Sequence, residues 1–376
     1  MYIRDRGLLA PARPGTSQAN LTFPTVTVLH DGALLATWRG GASKDGDDET
    51  VYFARSHDLG QNWSAAWTPF GRGHTLDGVW GTLKLCYLTQ LAPGRLLAAA
   101  MWVDRTTYPG QPLFNPTTEG CLPMSILLAE SDDGGASWSP WRVVPMPAEI
   151  GPASLTSPVL KLANGALALS IETNKPYLDA GPWRQKVLFF HSHDQGRTWE
   201  PPLVAGEDPS GRIFNWDLRS AVVPDGRVVT FAWTYDSVTG QYRNIHRRIS
   251  QDHGQSWSAP QDLGFADQAG RPAVLDYGRV LLPYVDRFDS RTIRACLAPA
   301  ADAPFTAQHE IVLYSHAPTQ TPAASDQSDT AARLTEMGLW TFGLPYAETL
   351  PTGEVLVVYY AGTEQAMDIH WVRLQP

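Results

Sequence analysis

Carboxylates, basic residues and aromatics recur in this chain at the edges of paired apolar runs. Six such pairs are flanked by Arg39, Lys44, Asp45, Asp47, Asp48 and Glu49; by Lys84, Asp104 and Arg105; by Glu172, Lys175 and Tyr177; by Asp217, Arg219, Trp233, Tyr235 and Asp236; by Arg271, Asp286 and Arg287; and by Tyr346, Tyr359 and Tyr360. Each residue precedes the first run of its pair or follows the second. If every pair points the same way, these side chains converge on one opening. Such a mixture suits carbohydrate, because aromatic faces cover sugar rings while charged groups hydrogen-bond hydroxyls and carboxylates. Two carboxyl groups beside an anomeric carbon are also what glycoside cleavage requires.

The elements that must position these residues are hairpins. "PTVTVLHDGALLATW", "SPVLKLANGALALSI" and "YAETLPTGEVLVVYY" are three of the six, each an apolar strand, a turn with Gly, and a second apolar strand. Asp31-Gly32, Asn164-Gly165 and Asp225-Gly226 have tight-turn chemistry, where Gly supplies positive φ. A phrase S-x-D-x-G-x-x-W keeps step with the hairpins. It runs from Ser56, Ser131, Ser192 and Ser250. Its Asp suits an Asx-turn and its Trp buries a large ring, so it reads as a structural turn between third and fourth strands. Asp132 and Asp133 resemble the start of a calcium loop, but the spaced carboxylates and closing Glu of such loops are missing. The array predicts an all-β, six-bladed β-propeller of four-stranded antiparallel blades, forming a single domain over residues 1–376. The sixth unit lacks a strand, and "YIRDRGLLA" is expected to supply it and close the ring. An inserted loop at about 316–340 breaks the rhythm. It is expected to hold a helical turn at "DTAARLTEM", and reads equally as a mobile excursion or as a lid or subunit contact.

The net charge of -9 and pI near 5.5 exclude the basic footprint of a nucleic-acid or anionic-membrane partner. No run of about 18 apolar residues is present to insert into a membrane. Cys86, Cys121 and Cys296 lack metal-ligand spacing and read as buried free thiols. No metal and no cofactor is expected. The N-terminus lacks the apolar core of a secretory signal. The cytoplasm is the expected location, with secretion the alternative for a chain trimmed of its leader.

The repeated phrase resembles the Asp-box, or bacterial neuraminidase repeat, and its six-unit setting resembles the sialidase superfamily across essentially the whole chain. The resemblance implies an active site at the end opposite the Asp-boxes. Mapped position by position, Thr22 in "TFP" stands where the family's first carboxylate-gripping Arg is expected, and Trp233 where the second is expected. Arg271 is the available arginine, a few residues out of register. Asp217 stands where a Glu pairs with the nucleophilic Tyr, Tyr346 lies near that Tyr, and Asp45, Asp47 and Asp48 compete for the acid/base Asp. With an incomplete arginine set, the resemblance implies an exo-acting glycoside hydrolase whose sugar need not be sialic acid. The catalytic candidates are Asp47, Asp48, Asp217, Tyr346 and Glu172. On the family's route Asp217 deprotonates Tyr346; on an ordinary aldose Asp217 or Glu172 attacks directly. Arg39, Lys84, Arg219, Trp233, Tyr235, Arg271, Arg287 and Tyr360 are the substrate-binding candidates. The alternatives are a polysaccharide lyase acting on uronic acids and a non-catalytic glycan-binding propeller.

Overall fold

The computed structural model describes residues 1–317 and 329–376. Its described residues form antiparallel sheets with a single α-helix, α1 (Thr330–Met337). The strands fall into five sheets. The first hairpin (Asn20–Val28 and Leu34–Gly41) continues into Thr50–Ser56 and shares a seven-stranded sheet with the chain's last three strands. That link is a short parallel contact, Asn20 beside Met367. The other four sheets each hold one hairpin unit and follow in chain order.

The N-terminal strand Tyr2–Ala10 pairs antiparallel with Ala366–Gln375, from Tyr2 opposite Gln375 to Ala10 opposite Ile369. Arg4 adds an ion pair to Glu354 at 2.7 Å. The last unit thus gains its fourth strand from the other end of the chain. First strands of successive units pack side by side, and Phe342–Thr349 packs back against Asn20–Val28. Their inner faces carry the buried core residues Val26, Leu85, Leu155 and Tyr346, while Leu218 belongs to a separate apolar cluster with Leu160 and Val228.

The repeated phrase forms the same local structure each time. In the second copy the Ser131 hydroxyl donates to Asp133 and accepts the Gly135 N–H at 2.8 Å. The Asp133 carboxylate also accepts the backbone N–H groups of Ala136 and Ser137 and the Ser137 hydroxyl. These local donors hold the carboxylate well below its usual range and occupy the oxygens a cation would need. Gly135 has φ 90°, and a Cβ there would lie 2.8 Å from Leu35 of the preceding unit. The phrase's Trp does the same sealing: Trp138 meets Phe53, and Trp257 meets Phe189, both edge-on. The second and fourth turns therefore cap their own sheets and close the seam to the sheet before.

The three cysteines are free and buried. Within the inserted segment, residues 318–328 lie outside the described part. The expected turn at 329–337 is a two-turn helix capped by Asp329, whose carboxylate accepts the Ala332 N–H at 2.7 Å.

Candidate active site

Three first strands share an irregularity at the same place. Pairing slips between Thr22 and Thr25, between Trp216 and Arg219, and between Gly343 and Tyr346. Within each slip one non-Gly residue is left-handed: Phe23 (φ 52°), Asp217 (φ 50°) and Leu344 (φ 48°). Such bulges turn a side chain out of the sheet's alternation. All three of these residues reach one cavity of about 170 Å³. Backbone strain at a bulky residue persists only where its surroundings impose it, and here it recurs around a single hollow.

The cavity wall is mostly aromatic and aliphatic. Trp183, Trp216, Trp233, Trp340, Tyr87 and Tyr360 line it, with Leu334 and Met337 of α1. The aromatics interlock: Trp233 meets Trp340 at 5.5 Å and Trp216 at 5.6 Å between ring centres. Into this apolar shell project Glu172 and Asp217. Glu172, at the end of Leu167–Thr173, is buried and accepts the Leu218 N–H at 3.0 Å. Burial, and then the negative charge of Asp217, push its carboxyl well above the usual range. Asp217 accepts from Arg219 at 3.1 Å and from the Gln268 amide. Arg219 also donates to the Tyr87 hydroxyl at 2.7 Å and to the Thr156 carbonyl, so it is pinned beneath the cavity. One carboxyl is thus desolvated and poised to carry a proton, while its neighbour accepts hydrogen bonds from a guanidinium and an amide. Environments that separate two neighbouring carboxyls in this way mark acid and base roles.

The basic residues at the wall are already engaged. Lys44 donates to the Met337 and Trp340 carbonyls at 2.6 and 2.7 Å and to the Tyr360 hydroxyl at 3.1 Å. Burial, then the neighbouring Arg287, Lys84 and Arg39, lower its pKa well below the ordinary lysine value. Lys84 donates to Asp45 at 2.6 Å and more weakly to Glu49. Glu49 is fully buried and receives Arg39 at 2.6 Å and Arg105 at 2.6 Å. Arg287 sits over Trp340, 4.0 Å from its ring centre, and donates to the Phe342 carbonyl and to Gln268.

Glu172, Asp217, Lys84, Trp233 and Tyr360 therefore meet at one cavity. The other expected site residues are placed elsewhere. Asp47 is exposed and Asp48 binds the Ala42 N–H within its own loop; neither lines the cavity. In that loop the acid of consequence is Asp45, held far below its usual range by Lys84 and Arg105 against the opposing effect of burial, which is the largest single influence. Such a group is a poor proton donor. Arg39 is fully buried against Glu49. Tyr235 stacks on Trp216 behind the wall, with its hydroxyl 3.3 Å from that of Thr330.

Tyr346 departs furthest from expectation. It belongs to a second hollow of about 340 Å³, shared with Arg271 and Glu348, towards the hairpin-turn ends of the first strands. Tyr87, Arg219 and Tyr346 crowd the space between the two hollows. Tyr346 stacks on Tyr87 at 6.3 Å and under Arg271 at 5.0 Å, and burial pushes its hydroxyl far above the usual value. Arg271 is tied to Glu348 at 2.8 Å. The expected deprotonation of Tyr346 by Asp217 has no geometry here, because the two residues face different hollows. The bulge explains the error: a slip of residues turns Leu344, not Tyr346, into the upper cavity.

Several wall residues escaped sequence reasoning. Gln268, in a two-residue strand beside Asp267, and Tyr87, in a strand that also holds Lys84, Thr89 and Gln90, carry no pattern that marks them. Trp340, Leu334 and Met337 come from the inserted segment, and their apolar spacing in "RLTEMGLW" was the available signal.

Known proteins agree with this architecture. The BNR/Asp-box repeat family matches residues 190–201, the third copy of the phrase. A curated sialidase of Micromonospora viridifaciens is 24% identical over 311 residues, covering 80% of this chain and 42% of that protein. The chain thus spans less than half of that relative's length. A Dyadobacter fermentans protein of unknown function superposes with a TM-score of 0.73 at 21% identity, over 99% of this chain and 100% of its own. The intramolecular trans-sialidase of Ruminococcus gnavus, solved with oseltamivir carboxylate, gives 0.65 at 13% identity, over 98% of both chains. At these identities the likeness to solved structures is one of fold.

Proposed function

We propose that this divergent relative of the sialidases is an exo-acting glycoside hydrolase, with Glu172 as the proton donor and Asp217 as the carboxylate partner. The observation that carries the reading is the pair itself: two carboxyls of unlike environment in one aromatic cavity. Glu172, kept protonated by burial, delivers its proton to the departing glycosidic oxygen. Asp217, salt-bridged to Arg219, faces the positive charge that develops at the anomeric carbon, either by attacking it or by activating water. Tyr360 and the tryptophans hold the ring, and α1 with Trp340 screens it from solvent.

The same reading takes the sheets as a six-bladed ring. Successive contacts between first strands, the return of Phe342–Thr349 onto Asn20–Val28, and the pairing of Tyr2–Ala10 with Ala366–Gln375 support it. In that view the seven-stranded sheet is two blades joined at Asn20 and Met367.

A panel of 4-methylumbelliferyl glycosides, run with the wild type and with Glu172→Gln and Asp217→Asn, tests the proposal. Hydrolysis of at least one glycoside, lowered about 100-fold or more in both variants, is the expected result. Hydrolysis untouched by either substitution overturns the assignment, and no hydrolysis of any glycoside favours a glycan-binding protein.

A further inference from the structure

We propose that the sugar taken by this cavity is an uncharged pyranose with an apolar face, and that sialic and uronic acids are excluded. The proposal rests on the reading of the cavity as a glycoside-binding site and deepens it. Recognition of a sugar carboxylate inside a dry site needs a free cation, best a bidentate guanidinium. Among the described residues no arginine lines the cavity, and the two lysines that do are saturated. Lys44 has three N–H groups and three acceptors, two of them carbonyls at the end of the α1 segment. Lys84 likewise spends its donors on Asp45, Glu49 and the Lys44 carbonyl. Arg219 and Arg287 sit behind the wall, engaged with Asp217 and Tyr87 and with Gln268 and the Phe342 carbonyl.

What faces the hollow is the opposite of an anion receptor. The Asp217 carboxylate repels a second carboxylate while it and Glu172 bond hydroxyls, and apart from the two lysines and Ser154, Thr156, Asn174 and Gln268 the remaining wall is aromatic and aliphatic. Burying an unpaired carboxylate beside these groups is strongly unfavourable. Trp183, Trp216, Trp233 and Trp340 instead line the hollow with apolar ring surface that suits the C–H side of a neutral ring. The volume agrees: a cavity of roughly 150 Å³ holds one benzene ring, so about 170 Å³ is the scale of a single ring.

The test uses the full chain. Quenching of tryptophan fluorescence is titrated with L-fucose, L-rhamnose, D-galactose, D-glucose, N-acetylneuraminic acid and D-glucuronic acid, and the matching 4-methylumbelliferyl glycosides are assayed in parallel. The expected result is saturable quenching by at least one neutral sugar, with its glycoside favoured over the sialoside and glucuronide by about 100-fold or more in kcat/KM. Glu172→Gln is expected to keep the neutral-sugar quench while losing turnover. Binding or turnover of either acidic sugar within tenfold of the best neutral one overturns the proposal, as does the absence of any neutral-sugar quench. Neutral-sugar quenching without hydrolysis of any glycoside leaves this inference standing and removes the catalytic reading instead.

Discussion

The turn at Ser131–Trp138 and the carboxyl pair Glu172–Asp217 sit at opposite ends of their strands and are assembled differently. In the turn, Ser131, Asp133 and Ser137 bond one another and the backbone within a few residues. In the cavity, Glu172 bonds Leu218, Asp217 bonds Gln268, and Arg219 bonds Tyr87, each a partner from a different unit or a distant part of the chain. The turn repeats because its structure is local, and one short phrase is enough to specify it. The cavity does not repeat, because each unit contributes a different side chain to a common space. Repetition therefore marks the part of this molecule that holds the fold, and its failure marks the part available for chemistry.

Substitutions sharpen that contrast. The largest effect is expected at the cavity: Glu172→Gln lowers kcat/KM by roughly 10²–10⁴-fold, the usual worth of a positioned acid, with a melting temperature no lower than that of the wild type. A companion pH profile checks the cause. Glu172 has a raised pKa, so activity that needs its proton is present below that value and falls as pH rises through it. The stability contribution has the same sign, greatest at low pH and lost as the folded group ionises, and Glu172→Gln flattens it. Urea titrations at several pH values would show no flattening if Glu172 were not the group responsible.

Next in size is Glu49→Ala, which strands Arg39, Lys84 and Arg105 around a buried vacancy. It is expected to cost about 3–5 kcal/mol in a chemical denaturation curve. A loss under 1 kcal/mol would mean that water or rearrangement replaces the carboxylate.

Trp340→Ala removes one wall of the cavity and the platform under Arg287. KM is expected to rise about tenfold, in line with the 0.5–1.5 kcal/mol of an aromatic contact, with a smaller change in kcat. A fall in kcat alone would place Trp340 outside ring binding.

The smallest effect belongs to the repeated turn. Ser131→Ala leaves the Gly135 N–H without its acceptor and is expected to cost about 1 kcal/mol of stability. Activity at room temperature should not change. A turnover defect in the folded variant would break the separation between the two ends.

Much of the molecule was legible before any coordinates. Four copies of S-x-D-x-G-x-x-W and six Gly-centred hairpins determine an all-β chain of similar units, and the missing strand of the last unit pointed to the N-terminus. These signals are local: alternation, turn residues and a Ser-Asp-Gly-Trp turn act over fewer than a dozen positions. Glu172 and Asp217 were also reachable, because strand direction alone places them at the shared end. Tertiary structure decided the rest. Bulges at Phe23, Asp217 and Leu344 shift register by a residue or two, and such a shift sends Tyr346 to the lower hollow and Leu344 to the upper. Which cations stay free was decided the same way, by partners such as Asp45 and the α1 carbonyls that sequence distance hides. A side chain's charge is written in the sequence. Whether that charge is spent on the protein or offered to a ligand depends on neighbours that only folding brings within hydrogen-bonding reach.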